Sequence, residues 1–139
     1  MAGDFYKRLR DQLIEHEGFH PYPPRRPAGK LTIGIGRNLE ANGISEHEAL
    51  YMLYNDLCRV RGELESHLPC FAALSEPRRI AMIDICFNLG LPGFLEFERM
   101  LAALNAGDYD RAAREMLDSK WARQVRQRAY VLAEQVRVG

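Results

Sequence analysis

In this 139-residue chain, Glu17 is the side chain best placed for acid chemistry. Upstream of it Phe5, Leu9 and Leu13 recur at four-residue spacing, which predicts a short amphipathic helix running into His16. Gly18 can take the left-handed conformation that closes a helix, and Pro21, Pro23, Pro24 and Pro27 forbid a restart. The negative end of a helix dipole and an apolar surrounding both disfavour ionisation of a carboxyl. A carboxylic acid that keeps its proton near neutral pH serves as a general acid. The blander reading is a solvated carboxylate before a cap glycine. Further on, Leu31 to Gly36 alternates, with Ile33 and Ile35 on one face and Thr32, Gly34 and Gly36 on the other. This predicts a strand with one nearly bare face, open to close approach and carrying a single hydroxyl, Thr32.

The order of these features is more specific than any one of them. A helix, His16-Glu17-Gly18, the aromatic Tyr22, the string GKLTIGIGRNL at 29–39 and then GIS followed by EA resemble the bacteriophage lysozyme (endolysin) family of muramidases, glycoside hydrolase family 24. The resemblance continues through most of the chain. It implies a lysozyme-like fold, α+β but mainly α, with a small antiparallel β-hairpin lobe and a larger helical lobe joined by a long helix. It also implies cleavage of the β-1,4 bond between N-acetylmuramic acid and N-acetylglucosamine in bacterial peptidoglycan. Glu17 would protonate the departing oxygen, and Thr32 would orient a water on the far face of the sugar. Arg128, in an Arg-Ala dipeptide, matches a family arginine that hydrogen-bonds the catalytic glutamate; otherwise it is one more arginine on a solvated helix. Asp56 corresponds to an acid that pairs with the side chain after the TIGIG string, so an Arg37–Asp56 salt bridge is expected. Phe87 and Asn88 fall where the family lines its cleft floor, and Asn88 would hydrogen-bond a sugar or cap its helix. Trp121 matches a tryptophan that packs the helical lobe, which favours a core role over a sugar platform.

One departure is sharp. The family places an aspartate two residues after the tyrosine, but Tyr22 is followed by Pro23 and Pro24, and no aspartate lies between Gly18 and Glu40. That second carboxylate stabilises the oxocarbenium-like transition state and activates the water. Three outcomes compete: turnover with Glu17 and Thr32 alone, or with His20 or Glu40 substituting; the same acid giving an anhydro product; or a wall-binding module that has lost turnover.

The remaining elements must position these groups. Ser45 stands three residues before Glu48, a capping-box spacing, and Ala49, Leu53, Leu57, Val60 and Leu64 follow at helical intervals. A helix to about Leu68 would be about 35 Å long, with Gly62 as a candidate bend. Ser75, Glu76 and Pro77 open a helix that Ile80, Ile83, Ile85 and Phe87 make apolar on most sides, ending at Gly90. Phe94, Phe97, Met100, Leu101 and Leu104 predict a core helix closed by Gly107; Asp108 caps the next through Leu117; the last segment has Trp121 and Tyr130 as anchors. The expectation is one domain over 1–139, with a small lobe at about 18–44, a linking helix at about 45–68, and a helical lobe at about 75–139 onto which the first helix, 4–16, packs.

Lys and Arg number 19 and so do Asp and Glu, yet residues 1–39 carry seven basic groups against four acidic, and 111–139 seven against three. Such ends could attract a polyanionic wall polymer or simply be solvated helix faces. No basic run or motif suggests nucleic acid. Cys58, Cys70 and Cys86 lack paired spacing and the histidines at 16, 20, 47 and 67 are scattered, so neither metal nor other cofactor is expected. Cys86 reads as a small core residue. With no membrane span and no signal peptide, a monomer made in the host cytoplasm and released to the wall is expected.

Overall fold

The computed structural model describes residues 2–24 and 29–139. It is helical α+β with a single small antiparallel sheet among the described residues, as expected. Two compact units divide it, Met1–Leu50 and Tyr51–Gly139.

In the first unit α1 spans Ala2–Glu17 and stops where the glycine reading places the stop: Gly18 has φ +75°, and its N–H bonds the Ile14 carbonyl at 2.8 Å. β1 (Thr32–Ile33) and β2 (Arg37–Asn38) form the hairpin, with Thr32 opposite Asn38 and Ile33 opposite Arg37. The expected strand to Gly36 is therefore cut short. Gly34 and Gly36 both take φ +70°, so the chain turns around Ile35 and the alternation ends at Ile33. A short helix that the sequence reading lacked, α2 (Leu39–Asn42), follows, with the Asn38 side chain accepting from the Ala41 N–H at 3.0 Å.

The unit boundary falls within α3 (Glu46–His67), which runs uninterrupted through Gly62. Its start is the predicted capping box: Ser45 Oγ accepts from the Glu48 N–H at 3.1 Å, and Glu48 Oε1 accepts from the Ser45 N–H at 2.9 Å.

In the second unit a 3-10 turn (Phe71–Ala73) leads to α4 (Glu76–Leu89), capped by Ser75, and then to α5 (Leu91–Leu95), α6 (Glu98–Asn105), α7 (Tyr109–Leu117), α8 (Lys120–Val125) and α9 (Gln127–Val138). α7 packs on α6 and α9, and α4 packs on α5 and α9. Val60, Leu64, Met82, Ile85, Phe94, Met100, Leu104, Met116, Trp121 and Val136 are buried together. Cys86 joins them, as expected, and burial pushes its thiol up from the ordinary range.

The expected core helix through Phe94 and Leu104 is two helices. The backbone leaves the helical region at Phe97 (ψ 55°), which sets that ring edge-on to Trp121 with centroids 6.0 Å apart. Tyr130 is not an anchor and is 63% exposed. The buried stripe of α9 is Ala129, Leu132, Ala133 and Val136, and Tyr130 lies one residue off it. Arg78 secures the end of α9 instead, donating from Nε to the Val136 carbonyl at 2.7 Å while its guanidinium lies 3.5 Å over the Tyr109 ring. Among the described residues no helix is long and apolar enough to cross a membrane.

The last segment is also split, at Arg126, a non-glycine residue with φ 52° and ψ −109°. This is the conformation that a type II′ turn reserves for glycine, and a side chain there costs on the order of 1–3 kcal/mol. Arg126→Gly is therefore expected to stabilise the protein by about 1 kcal/mol after the added freedom of the unfolded chain is counted. A rise in the urea midpoint at constant slope checks this, and a fall would show that the conformation is unstrained.

Candidate active site

The first unit assembles the acid. Glu17 is the last residue of α1, and beyond Gly18 the chain returns to the hairpin through an isolated antiparallel bridge. The His20 N–H bonds the Gly34 carbonyl at 2.9 Å, and the Gly34 N–H bonds the His20 carbonyl at 2.8 Å. That bridge sets the helix end against the turn. A Cβ built on Gly36 would lie 2.9 Å from Glu17 Oε2 and 3.1 Å from its Cδ, closer than a methyl and a carboxyl can approach. What comes close to the bare face of the TIGIG string is thus the Glu17 carboxyl itself. Glu17 is exposed, where an apolar enclosure was expected. Thr32 is half-buried on β1, and Tyr22 is 80% exposed. Part of the segment in which a replacement for the family's aspartate would be sought, residues 25–28, lies outside the described residues.

Arg37 does not have the partner expected for it. Its Nη1 and Nη2 donate to Glu48 Oε1 (3.0 Å) and Oε2 (2.7 Å), and Nη1 also reaches the Gly43 carbonyl at 3.0 Å. Asp56 instead faces Arg59 on its own helix, 3.6 Å away. The correction has a local cause, because the capping box already fixes Glu48 beside the hairpin when α3 starts. The bidentate Arg37 bond, then the Ser45 backbone and hydroxyl, lower the Glu48 carboxyl to about 2.

The second unit holds the other candidates. Asn88 Oδ1 accepts from the Trp121 indole N–H at 2.9 Å, which ties the exposed Asn88 side chain to the core tryptophan through its oxygen and leaves the amide N–H donors outside that bond. Trp121 is 4% exposed, a core residue as anticipated. Arg128 donates from Nε (2.8 Å) and Nη2 (2.6 Å) to Asp84 Oδ1. Arg128, Asp84 and Phe87 border a mostly apolar groove of about 490 Å³ that is also lined by Leu53, Tyr54, Leu57, Ile80 and Ile83. Among the described residues no cluster of His, Cys, Asp or Glu could hold a metal ion.

Residues 14–136 match the family model for phage lysozyme. The chain belongs to the phage lysozyme family. This span takes in the end of α1 with Glu17, the hairpin and every later helix up to the last residues of α9, and the family is one of muramidase-like peptidoglycan hydrolases. The chain is also 31% identical over 104 residues to the pre-baseplate central spike protein Gp5 of Enterobacteria phage T4. That alignment covers 71% of this phage lysozyme-family chain but only 18% of the spike protein.

Three residues of these sites escaped the sequence reading. Glu48 was visible as a helix cap but not as the partner of Arg37. Gly36 was visible as a bare position, without the carboxyl that fills it. Asp84 left a clearer signal: it is the one charged residue between Arg79 and Glu96, in the middle of an apolar helix.

The Arg37–Glu48 pair makes a pH prediction. The folded-state value of Glu48 lies below its unfolded value of about 4.5, so the pair's stabilisation is complete above that value and is lost as pH falls toward about 2. Wild type should exceed Glu48→Gln in stability near neutral pH, with the difference closing between about pH 5 and pH 2. Urea midpoints across that range check it, and a difference constant with pH would count against the pair.

Proposed function

We propose that this protein is a peptidoglycan hydrolase of the muramidase type, endolysin-like, cleaving the β-1,4 bond between N-acetylmuramic acid and N-acetylglucosamine in bacterial cell-wall lysis. The observation that carries the reading is the Glu17 carboxyl at the end of α1, against a turn whose glycine leaves room for it. A general acid must hold a proton to deliver, and in this reading Glu17 is that acid. In this mechanism Glu17 gives its proton to the glycosidic oxygen as the bond from the anomeric carbon breaks. Water, oriented by Thr32, adds to that carbon and releases its own proton to solvent. Arg128 serves this hydrolysis, and the groove that it borders with Phe87 binds substrate.

A second reading is favoured by one observation, the lack of an aspartate between Gly18 and Glu40. In it the chain binds peptidoglycan with weak or lost turnover. Losing a major electrostatic contributor costs about 10²- to 10³-fold in rate, which leaves slow hydrolysis rather than none if the acid still works. Peptidoglycan is the partner in both readings, and neither calls for nucleic acid, a cofactor or a second copy of the chain.

Glu17→Gln should reduce clearing of a cell-wall suspension by at least about a hundredfold with an unchanged far-UV circular dichroism spectrum. Equal clearing by both proteins would remove Glu17 from the acid role. Thr32→Ala should impair turnover more than wall binding. Mass analysis of digested peptidoglycan separates the outcomes: reducing ends mean hydrolysis, anhydro ends mean intramolecular closure, and intact glycan with retained binding means the second reading.

A further inference from the structure

We propose that Asp84 is a positioning residue for the hydrolysis, holding Arg128 by one edge of its guanidinium so that the Nη1 edge is presented in a fixed direction beside the apolar groove. The inference rests on reading Arg128 as part of the hydrolytic machinery.

Three observations point to Asp84. The first is its setting. It is the single charged side chain in a sixteen-residue stretch, 80–95, and Ile80, Ile83 and Phe87 share the groove with it. An ionisable group in such a place calls for a partner or a task. The second is the geometry. Arg128 Nε and Nη2 both donate to Oδ1 of Asp84, at 2.8 and 2.6 Å, which engages the side edge of the guanidinium and leaves the Nη1 edge for another acceptor oxygen.

The third is that stability alone argues against this placement. Arg128 lies in the first turn of α9, where the helix dipole disfavours a cation. The residue that opens that turn, Arg126, sits in a conformation costly for a side chain. The pair is also partly exposed, at 42% and 36%, where an ion pair adds little to folding. Two unfavourable features are kept for a contact worth little to the fold. Their common result is an arginine held still before any substrate arrives, the condition for preorganised electrostatic support.

The test compares wild type with Asp84→Ala, Asp84→Asn, Arg128→Ala and the double variant Asp84→Ala/Arg128→Ala, using soluble glycan strands prepared from peptidoglycan. Asp84→Ala should lower kcat roughly ten- to a hundredfold with KM within about threefold of wild type. Asp84→Asn keeps the Oδ1 acceptor and should retain most of kcat. In the Arg128→Ala background, Asp84→Ala should add nothing. The Arg128 Nε–H resonance, protected from exchange in wild type, should broaden or vanish in Asp84→Ala and persist in Asp84→Asn.

Equal losses in the Ala and Asn variants, additive losses in the double variant, or an unchanged kcat in Asp84→Ala would each overturn the proposal. An unchanged kcat in Arg128→Ala would overturn it together with the role given to Arg128. If no protein turns over the strands, the muramidase reading fails on its own. Positioning is then read from the Arg128 Nε–H resonance alone: its loss in Asp84→Ala with persistence in Asp84→Asn supports it, and a protected resonance in Asp84→Ala overturns it.

Discussion

The approach of the Glu17 carboxyl to Gly36 is the constraint on which the first unit depends. A Cβ at that position would sit inside the contact distance of the carboxyl, and φ +70° disfavours a side chain there in any case. The backbone selects glycine outright, while in space a Cβ would push the Glu17 carboxyl aside from the place it occupies. The neighbouring details follow from the same meeting of helix end and hairpin. Gly18 turns the chain out of α1, and His20 binds Gly34 through both backbone groups. The turn between β1 and β2 is thereby fixed on the side where Glu17 ends its helix. A general acid needs a defined place from which to deliver its proton, and here the backbone at the end of α1 and the turn set where the Glu17 side chain begins.

Two arginines are anchored by comparable means. Arg37 is held by both Glu48 oxygens and a backbone carbonyl, and Arg128 by one oxygen of Asp84. The difference is informative. The Arg37 pair ties β2 to the opening of α3, and a carboxylate that also accepts from Ser45 leaves it little freedom. The Arg128 contact uses one edge of the guanidinium only. A planar cation gripped on one edge keeps its direction and its capacity to bind, which suits a role beyond the fold. A lysine at either position could not reproduce the grip.

Much of this was legible in the chain because the signals were local. Ser45 with Glu48, Ser75 with Pro77, Asp108, and the stop at Gly18 each rest on a few adjacent residues, and all four hold. The membership in the lysozyme family was likewise carried by short strings. What escaped depends on backbone departures that composition does not encode. Ile35 continues a period-two pattern, but the glycines on either side of it turn the chain first. Phe97 and Arg126 interrupt helical stretches with no Gly or Pro at the break itself. The Arg37–Asp56 pairing failed for a related reason: a correspondence between residues distant in the chain says less than a helix cap that already holds Glu48 in reach.

The chemistry of the proposed site turns on having one acid where its family uses two carboxylates. A single carboxyl at a helix end can still protonate a leaving oxygen, a contribution on the order of 10²- to 10⁴-fold. The positive charge that builds on the sugar then lacks its nearest anion, and the burden shifts to groups that lower the barrier without a negative charge. A hydroxyl that orients water does so, and so does rigid placement of the acid, since holding reacting groups in line replaces entropy that a looser site would lose at the transition state. The edge-held Arg128 is a device for rigidity rather than for charge. A site short of a carboxylate is therefore expected to depend more steeply on such placement than a site with both, because each remaining contribution acts on a higher barrier with no anion to compensate for a misplaced acid.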